Sequence, residues 1–451
     1  MNRGAVVVIG LARTGRAVAR TFAAEGRAVR VIDRDDNAEL RERAAELPPG
    51  VTVTLGGYDS TSLDGASLVV PSPGVPWDAP ELAEARRRGI DVRSEVALVF
   101  ERCRGRIVGI TGTNGKTTTT SLVAAVLSRG DVPVHCGGNI GVPMIDRLEA
   151  IGGDDWVVLE LSSFQLESVE QPRCAVGCVL NVTPDHLDRH GSLENYAAIK
   201  ERVVRFARDC AVLGWDDPVT RDMASRVAAP LRWFGDAPDG DRAVTRDGVV
   251  VSVERGREVA VLPVSDIPLF GPHNVGNVLA AVSVTRACGM DAASIADGVR
   301  DFSAVPHRLQ TVAVHRGVLW INDSKATNTE STLMALRSFE GRPIVWIGGG
   351  RGMGTPLDTL AAEVAHRVRH ALLIGEIAAE LDGALAARGF TDSHVSGTLE
   401  RAVDDAASLA ETGDVVLFAP GFKSFDQFRS FEHRGDEFMR LVRARTAAED
   451  S

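Results

Sequence analysis

Short apolar runs alternate with amphipathic stretches along the whole chain. This alternation is typical of a parallel β-sheet wrapped by helices, so an α/β protein is predicted. Many of the apolar runs are followed at once by Gly, Ser, Thr, Asn or Asp, and ligands bind at the carboxyl ends of such strands. The predicted strands are Ala5–Ile9, Val29–Asp33, Leu68–Val70, Arg106–Ile110, Trp156–Leu161, Val176–Leu180, Leu319–Asn322, Pro343–Ile347, Ala371–Ile374 and Val415–Ala419.

The βα series restarts at two places, near Ser94–Cys103 and near Phe302–Val305. We therefore expect three α/β domains, over residues 1–97, 98–302 and 303–451. Between Leu231 and Pro263 the pattern changes to short alternating segments, which predicts an antiparallel hairpin rather than a βαβ unit.

Composition narrows the class of protein. The 451 residues are 44% hydrophobic and 25% charged, which is typical of a globular chain. The net charge of −11 argues against a general nucleic-acid or membrane-surface binder. The sequence has neither an apolar run long enough to span a bilayer nor a signal-peptide pattern, and its six scattered cysteines are expected to be reduced. A cytoplasmic protein is predicted.

The strongest chemical signal is a glycine-rich turn between a predicted strand and a predicted helix. Its residues are Gly112, Thr113, Asn114, Gly115, Lys116, Thr117 and Thr118. Backbone N–H groups of such a turn and the helix N-terminus bind phosphate oxygens, so an ATP site is predicted. Lys116 is expected to reach the β- and γ-phosphates and Thr117 to ligate Mg²⁺, although the glycine spacing is shorter than in the usual phosphate loop.

Acidic and basic residues follow the next two strands. Glu160 ends a buried strand, where a carboxylate is costly unless it is paired or binds a metal, so a Mg²⁺ role is favoured over a cap or an ion pair. Asp185, His186 and Asp188 cluster at the mouth of the strand after it. Lys200 lies on the following helix, and a lysine there is ordinarily a solvated surface residue.

Two segments downstream and one at the N-terminus also suit nucleotides. The segment Gly271–Asn277 suits a purine edge, and Arg308, Asp323, Lys325 and Thr327 suit a ribose or phosphate site. A plain helix-cap role for Asp323 is the alternative. The N-terminal turn Gly10–Gly15 is half of a dinucleotide-binding fingerprint, because Ala12 replaces its second glycine. We interpret it as a nucleotide-diphosphate site rather than a redox site.

Together these segments resemble the Mur ligase family, the ATP-dependent amide-bond-forming enzymes of peptidoglycan precursor synthesis. GTNGKTT is shared with folylpolyglutamate synthetases, whereas the other motifs are particular to the branch that adds D-glutamate. The Asp-Asn-Pro-Arg motif of the branch that adds diaminopimelate or lysine is absent. The motifs that carry the resemblance are GTNGKTT, LELSSFQLE, NVTPDHLDRH, INDSKATN and SFDQFRSFEHRGDEF, which together span most of the chain.

The resemblance implies a Rossmann-like N-terminal domain that binds a UDP substrate and a central ATPase domain of the phosphate-loop type with a mainly parallel sheet. A Rossmann-like C-terminal domain would bind adenosine and the amino acid. It implies a monomeric cytoplasmic ligase that adds D-glutamate to UDP-N-acetylmuramoyl-L-alanine through an acyl phosphate, using ATP and two Mg²⁺ ions. Such an enzyme serves cell wall biogenesis, and through it cell shape and cell division.

The resemblance also implies roles for single residues. Lys116 and Thr117 would bind ATP and Mg²⁺, Glu160 would support the metal, and His186 would ligate a second Mg²⁺. Lys200 matches a lysine that is carbamylated in the family, and His186 or Asp323 would assist deprotonation of the amine. The remaining implied contacts are Asn277, Arg308 and Asp323 for adenosine, Arg13, Thr14, Arg34, Ser72, Gly74 and Asn139 for the UDP substrate, and Lys325, Thr327, Ser424 and Phe431 for the amino acid and the γ-phosphate.

One position departs from the family pattern. The branch that adds D-glutamate usually carries a lysine in a Gly-Gly-x-x-Lys segment, where it pairs with a carboxylate of the incoming glutamate, and Met353 occupies that position here. A methionine cannot pair with a carboxylate, so either Arg351 supplies the cation or the amino-acid pocket is altered. L-glutamate as the acceptor is the alternative that Met353 raises. A non-catalytic nucleotide-binding protein and an NAD(P) oxidoreductase are further alternatives.

Overall fold

The computed structural model describes residues 4–303, 305–352, 354 and 356–449. The strands are β1 Ala5–Ile9, β2 Val29–Asp33, β3 Thr52–Leu55, β4 Ala66–Pro71, β5 Asp91–Val92, β6 Arg106–Thr111, β7 Val134–Gly138, β8 Trp156–Glu160, β9 Val176–Val179, β10 Cys210–Gly214, β11 Leu231–Phe234, β12 Asp241–Arg246, β13 Val249–Glu254, β14 Arg257–Pro263, β15 Gln310–His315, β16 Val318–Asn322, β17 Ile344–Gly349, β18 Val368–Ile374, β19 Ser393–Gly397 and β20 Val415–Gly421.

Helices connect most of these strands. They are α1 Arg13–Ala24, α2 Ala38–Ala45, α3 Pro80–Arg87, α4 Glu95–Arg102, α5 Lys116–Leu127, α6 Ser163–Leu166, α7 Leu187–His190, α8 Leu193–Arg205, α9 Pro218–Met223, α10 Pro272–Ala287, α11 Ala292–Arg300, α12 Thr329–Arg337, α13 Asp358–Arg367, α14 Ala378–Ala386, α15 Leu399–Leu409 and α16 Phe431–Glu449. Each of the ten predicted strands is present, with ends displaced by three residues at most. Along the described chain, no helix combines the length and the apolar character needed to cross a membrane.

The N-terminal sheet is parallel, in the order β3-β2-β1-β4-β5. Its central strand β1 is flanked by β2 and β4, and the alternate valines Val6 and Val8 are fully buried. The loop after β1 therefore lies at the carboxyl edge of the sheet beside the loops that follow β2 and β4. This edge holds all of the predicted UDP-substrate residues except Asn139, which follows β7 of the central sheet.

The central sheet has nine strands in the order β14-β13-β12-β11-β10-β9-β6-β8-β7. The seven strands from β12 to β7 run parallel, and β6 lies between β8 and β9. The pairs β12–β13 and β13–β14 are antiparallel, which confirms the hairpin predicted within 231–263. This placement brings the ends of β6, β8 and β9, which carry the predicted ATP and metal residues, to one edge.

The third sheet has six strands in the order β15-β16-β20-β17-β18-β19, and only β15 is antiparallel to its neighbour. Helices α12, α13 and α14 pack on one face of this sheet, while α15 and α16 pack on the other. The ends of β16, β17 and β20 meet at its carboxyl edge.

The chain divides into two compact units. The first unit comprises the residues up to Ile267 together with Gly276–Phe302. The second unit comprises Pro268–Val275 together with the residues from Ser303 onward. The first unit therefore contains the N-terminal and central sheets, and the second contains the six-stranded sheet. All six cysteines lie in the described residues and are free, which confirms that they form no disulfide framework.

Candidate active site

The glycine-rich turn joins the end of β6 to the start of α5 at Lys116. Gly115 adopts a φ of 81°, and a Cβ there would lie 2.2 Å from Asn277 Oδ1, so this position requires glycine. The first N–H groups of α5 have no carbonyl partner within the helix, which makes this end of the helix suitable for phosphate. The structure therefore gives the predicted phosphate loop the required strand-turn-helix geometry.

Asn181, which follows β9, holds the phosphate loop in place. Its carbonyl accepts from Thr113 N at 2.9 Å, and its side-chain Oδ1 accepts from Asn114 N at 2.8 Å. Its Nδ2 donates back to Asn114 O at 3.2 Å. The sequence analysis missed Asn181, although its position directly after a buried strand and next to the phosphate-loop strand was a usable signal.

Two lysines lie close to this loop. Lys116 Nζ donates to Thr113 O at 2.7 Å. Lys200 is not a surface residue: it is 1% exposed, its Nζ donates to Gly112 O at 2.8 Å, and the ammonium lies 4.4 Å from the Tyr196 ring centroid. Burial, together with repulsion from Lys116, lowers the pKa of Lys200 to about 6. A substantial fraction of Lys200 is therefore a neutral amine at pH 7.

Glu160 ends β8 and is 2% exposed. Its Oε1 accepts from Asn139 Nδ2 at 2.7 Å, whereas its buried Oε2 has no hydrogen-bond partner. An unsatisfied buried carboxylate oxygen is costly, and a hard divalent cation would satisfy it. Among the described residues no group of three or more His, Cys, Asp or Glu side chains converges on one point. The donor set therefore fits Mg²⁺, which commonly takes one or two carboxylates and completes its ligands with phosphates and water.

His186 lies in the segment between β9 and α7. Its φ is 52°, its ring centroid is 4.8 Å from that of Phe164, and Nε2 is 3.4 Å from Asp185 Oδ2. The side chain is about half exposed and so remains accessible to a ligand. The buried His190 is different, because Ser163 and Glu167 contact its two ring nitrogens.

The N-terminal turn is closed by Asp33 and Ser72. Asp33 Oδ2 accepts from Leu11 N at 2.7 Å, and Ser72 Oγ donates to Gly10 O at 3.0 Å. Arg13 and Thr14 begin α1 directly after this turn, while Gly74 lies exposed in the loop after β4. The Arg34 side chain is 79% exposed and pairs with Glu81 at 3.5 Å.

A second residue that the sequence analysis missed is Arg189, which connects the central sheet region to the N-terminal one. It makes a bidentate ion pair with Glu167, at 3.0 and 2.7 Å, and its Nη2 donates to Val75 O at 3.3 Å. The Val75 carbonyl belongs to the same loop as Ser72 and Gly74. Arg189 therefore fixes the position of that loop relative to α6 and α7.

Asp323 in the second unit follows β16 and is buried. Its Oδ1 accepts from Leu309 N at 3.0 Å, and burial raises its pKa to about 6 against the opposing effect of Arg308 and Lys325. The structure thus brings Arg308, Asp323 and Lys325 together, as the sequence predicts. Asn277 lies in the first unit, where its Oδ1 accepts from Thr119 Oγ1 at 3.2 Å.

The predicted amino-acid residues lie around the ends of β16, β17 and β20. Lys325 Nζ is 5.4 Å from the ring centroid of Phe431, Ser424 is 2% exposed, and Thr327 is half-buried. Arg351 N donates to Lys423 O at 2.8 Å. Met353 lies outside the described residues.

Arg434 on α16 supports these loops and was not singled out by the sequence analysis. It is 1% exposed, and its guanidinium donates to Ser324 Oγ, Ser324 O and Phe422 O at 3.0, 2.8 and 3.0 Å. Burial lowers its pKa to about 10, so it stays charged at neutral pH. It ties the loop after β16 to the loop after β20.

Three family models match the chain in order. They are described as the Mur ligase MurD-like N-terminal domain over residues 4–94, the Mur ligase middle domain over 110–285 and the Mur ligase glutamate ligase domain over 307–422.

Curated relatives match along nearly their whole length. Proteins named UDP-N-acetylmuramoylalanine–D-glutamate ligase from Acidobacterium capsulatum and Koribacter versatilis are both 42% identical to this chain. The first match covers 98% of this chain and 97% of the relative, and the second covers 97% of each. The relative of that name from Gloeobacter violaceus is 43% identical over 98% of this chain and 99% of its own.

Solved structures agree in fold. UDP-N-acetylmuramate-alanine ligase MurC from Thermotoga maritima superposes with a TM-score of 0.62 at 19% identity, covering 98% of this chain and all of that one. A pseudomurein peptide ligase of type C from Methanothermus fervidus gives 0.57 at 20% identity, covering 98% and 99%. From its matching domains and its full-length relatives, the chain belongs to the Mur ligase family.

Proposed function

We propose that this chain is an ATP-dependent ligase that joins D-glutamate to UDP-N-acetylmuramoyl-L-alanine in peptidoglycan precursor synthesis. The observation that carries the proposal is the 42% identity, from end to end, to relatives named for this activity. The phosphate loop, the Glu160 carboxylate and the buried Lys200 at one sheet edge support it. We expect the chain to act as a monomer in the cytoplasm, where nucleotide-linked precursors are made.

The proposed reaction has two steps. The carboxylate of UDP-N-acetylmuramoyl-L-alanine attacks the γ-phosphorus of ATP. The bond between the γ-phosphorus and the bridging β-phosphate oxygen breaks, which releases ADP and forms an acyl phosphate. The amine of glutamate then attacks the acyl carbon, loses a proton, and phosphate departs as the amide forms. Lys116 and the N–H groups that begin α5 would stabilise the charge on the transferred phosphate. His186 or Asp323 would take the proton of the amine.

Thr117, Glu160, His186 and Lys200 are the residues that we expect to hold two Mg²⁺ ions. Ions held there would offset the negative charge of the phosphates and of the attacking carboxylate. The orphaned Glu160 Oε2 and the buried Thr117 at the start of α5 support this assignment. The exposed His186 ring supports the second position.

For Lys200 we infer a carbamate. A neutral lysine amine adds to CO₂, forming an N–C bond and releasing one proton, and the product is an anionic oxygen ligand that suits a hard cation. The lowered pKa of Lys200 supports the first requirement, because burial keeps part of the amine neutral. We expect Lys200→Ala to lose most activity and short carboxylates such as formate to restore part of it. Undiminished activity in Lys200→Ala would contradict the carbamate.

The substrates are assigned to the three sheet edges. Arg13 and Thr14 at the start of α1 are proposed for the UDP substrate. Arg34, Ser72 and Gly74 on the loops after β2 and β4, and Asn139 after β7, are proposed for the same substrate. Adenosine is assigned to Asn277, Arg308 and Asp323. The γ-phosphate and the amino acid are assigned to Lys325, Thr327, Arg351, Ser424 and Phe431.

Phosphate release from ATP tests the proposal. UDP-N-acetylmuramoyl-L-alanine is supplied with D-glutamate in one reaction and L-glutamate in another, and each substrate is omitted in turn. We expect release only when the UDP substrate and D-glutamate are both present. Phosphate release with L-glutamate but not with D-glutamate would change the assigned acceptor. No release with either enantiomer would contradict the proposed UDP substrate.

A further inference from the structure

Two basic residues face each other where β17 and β20 end. Arg351 follows β17 and Lys423 follows β20, and they form an isolated antiparallel bridge in which Arg351 N donates to Lys423 O at 2.8 Å. Residues directly opposite on an antiparallel bridge carry their side chains on the same face. The bridge therefore sets an arginine and a lysine side by side.

Neither side chain is neutralised within the described part of the chain. Arg351 and Lys423 are both exposed, and no ion pair or side-chain hydrogen bond joins either to a described residue. The nearby carboxylate of Asp426 accepts from Glu376 N at 3.1 Å instead. Like charges directly opposite each other destabilise a bridge, so this pairing is best explained by an anion that binds both.

The backbone of the bridge is held firmly. Gly350 has a φ of 139°, and a Cβ there would lie 2.5 Å from Lys423 O, so only glycine permits this approach. On the other side, Arg434 binds the carbonyl of Phe422, and Ser424 is 2% exposed. The backbone that carries the two cations is therefore rigid, and precise binding of a small anion requires such rigidity.

The distribution of lysines in the whole chain also draws attention to Lys423. Among 50 basic residues, lysine occurs only at positions 116, 200, 325 and 423, and the rest are arginine. The first three have been assigned to ATP, to the carbamate and to the γ-phosphate. A lysine ammonium is a compact charge that arginine does not reproduce, so the use of lysine at 423 in a chain that otherwise prefers arginine favours a specific contact.

We propose that Arg351 and Lys423 together bind a carboxylate of the incoming amino acid and so replace the cation that is missing at Met353. The inference rests on the proposed function and adds Lys423 as a residue that determines acceptor specificity. The pair would bind one of the two carboxylates that glutamate carries, its α-carboxylate or its side-chain carboxylate.

The test compares Lys423→Met and Arg351→Met with the charge-retaining Lys423→Arg and Arg351→Lys. Arg443→Met, an exposed arginine on α16, is the matched control. Steady-state kinetics are measured with glutamate varied and then with ATP varied. We expect each methionine variant to raise the KM for glutamate about tenfold or more, with the KM for ATP within about twofold of wild type. Arg351→Lys should recover most of that loss, whereas Lys423→Arg should recover only part of it, because a guanidinium does not reproduce the compact lysine ammonium.

An unchanged KM for glutamate in both methionine variants would overturn the inference, as would a fall in kcat alone. A rise in the KM for ATP of the same size would also overturn it, because it would indicate a general structural effect. These outcomes presuppose a wild-type enzyme that turns over glutamate. An inactive wild type with either enantiomer would instead overturn the proposed function itself.

Discussion

Two buried basic side chains show how burial affects lysine and arginine differently. Lys200 and Arg434 are each 1% exposed and donate to backbone carbonyls. A buried lysine avoids the free-energy cost of desolvating a charge by losing its proton, whereas a buried arginine keeps its charge at neutral pH. Lys200 is therefore suited to chemistry, and Arg434 to holding loops together.

Replacing Arg434 by methionine should destabilise the second unit. The change leaves the carbonyls of Ser324 and Phe422 without a donor, at a cost of about 2–4 kcal/mol in the free energy of unfolding. Arg440→Met, on the same helix, removes only an exposed ion pair with Glu437 and should cost far less. Urea denaturation compares the two, and equal losses would contradict the role given to Arg434.

Gly115→Ala should abolish tight ATP binding while the fold survives. The added Cβ meets Asn277 Oδ1 at 2.2 Å in a backbone conformation that alanine disfavours, so the phosphate loop must move. We expect the Kd for ATP to rise more than about tenfold, measured by calorimetry. Gly383→Ala is the matched control, because nothing lies within 4 Å of its Cβ position. Unaltered binding in Gly115→Ala would contradict the loop geometry.

A residue of the candidate active site could be predicted only where its neighbours in the sequence indicate its position. Lys116 and Thr117 follow a strand and open a helix, and Glu160 ends an apolar strand, so their placement needed no tertiary information. The burial of Lys200 depends on α8 packing over β6 and β9, and the pairing of Asn181 with Asn114 joins segments far apart in the chain. Neither is visible in a local pattern.

At the scale of elements, the long apolar strands were predictable and the short polar ones were not. Strand β7 reads Val-His-Cys-Gly-Gly and β19 reads Ser-His-Val-Ser-Gly, and both are sheet edges with few buried side chains. Their strand conformation is imposed by pairing with β8 and β18 rather than by propensity. Strand order, such as β6 between β8 and β9, likewise arises from packing.

Glu254 links three elements and gives a pH-dependent prediction. It lies at the end of β13 and pairs with Arg286 on α10, at 2.6 Å, and with Arg232 on β11, at 2.9 Å. The Arg286 hydrogen bond lowers the pKa of Glu254, so its contribution to stability is present above its unfolded pKa and is lost as pH falls through the lowered value.

Glu254→Gln should therefore reduce the free energy of unfolding by about 1–2 kcal/mol at pH 7 and by less at pH 3. Urea midpoints at the two pH values measure this difference. Glu258→Gln breaks the exposed pair with Arg246 and serves as the control, with an expected loss below about 0.5 kcal/mol. A loss in Glu254→Gln that does not change with pH would argue against the ion pairs.

At the scale of the whole first unit, the N-terminal and central sheet regions share one apolar core. It includes Val8 and Phe22 from the first region and Met144 and Val203 from the second. Glu95 is buried at this junction, where its Oε1 accepts from Ile145 N at 3.0 Å. Desolvation raises the pKa of Glu95 to about 7.

Because the folded pKa of Glu95 lies above its unfolded value, its carboxyl stabilises the fold least once pH exceeds about 7. Glu95→Gln keeps the acceptor oxygen without the charge, so it should match wild type at pH 5 and exceed its stability by about 2–3 kcal/mol at pH 8.5. Glu101→Gln, exposed on the same helix, is the control. Thermal unfolding at both pH values tests this, and a variant less stable than wild type at pH 8.5 would contradict it.

The central claim is that this chain catalyses amide ligation. Mass spectrometry of the nucleotide product tests it most directly, after ATP, UDP-N-acetylmuramoyl-L-alanine and isotope-labelled D-glutamate are incubated with the wild-type chain. We predict a product heavier than the substrate by one labelled glutamyl residue, formed in equal amount to ADP. ADP formed without that product, or an unchanged nucleotide substrate, would contradict the assignment.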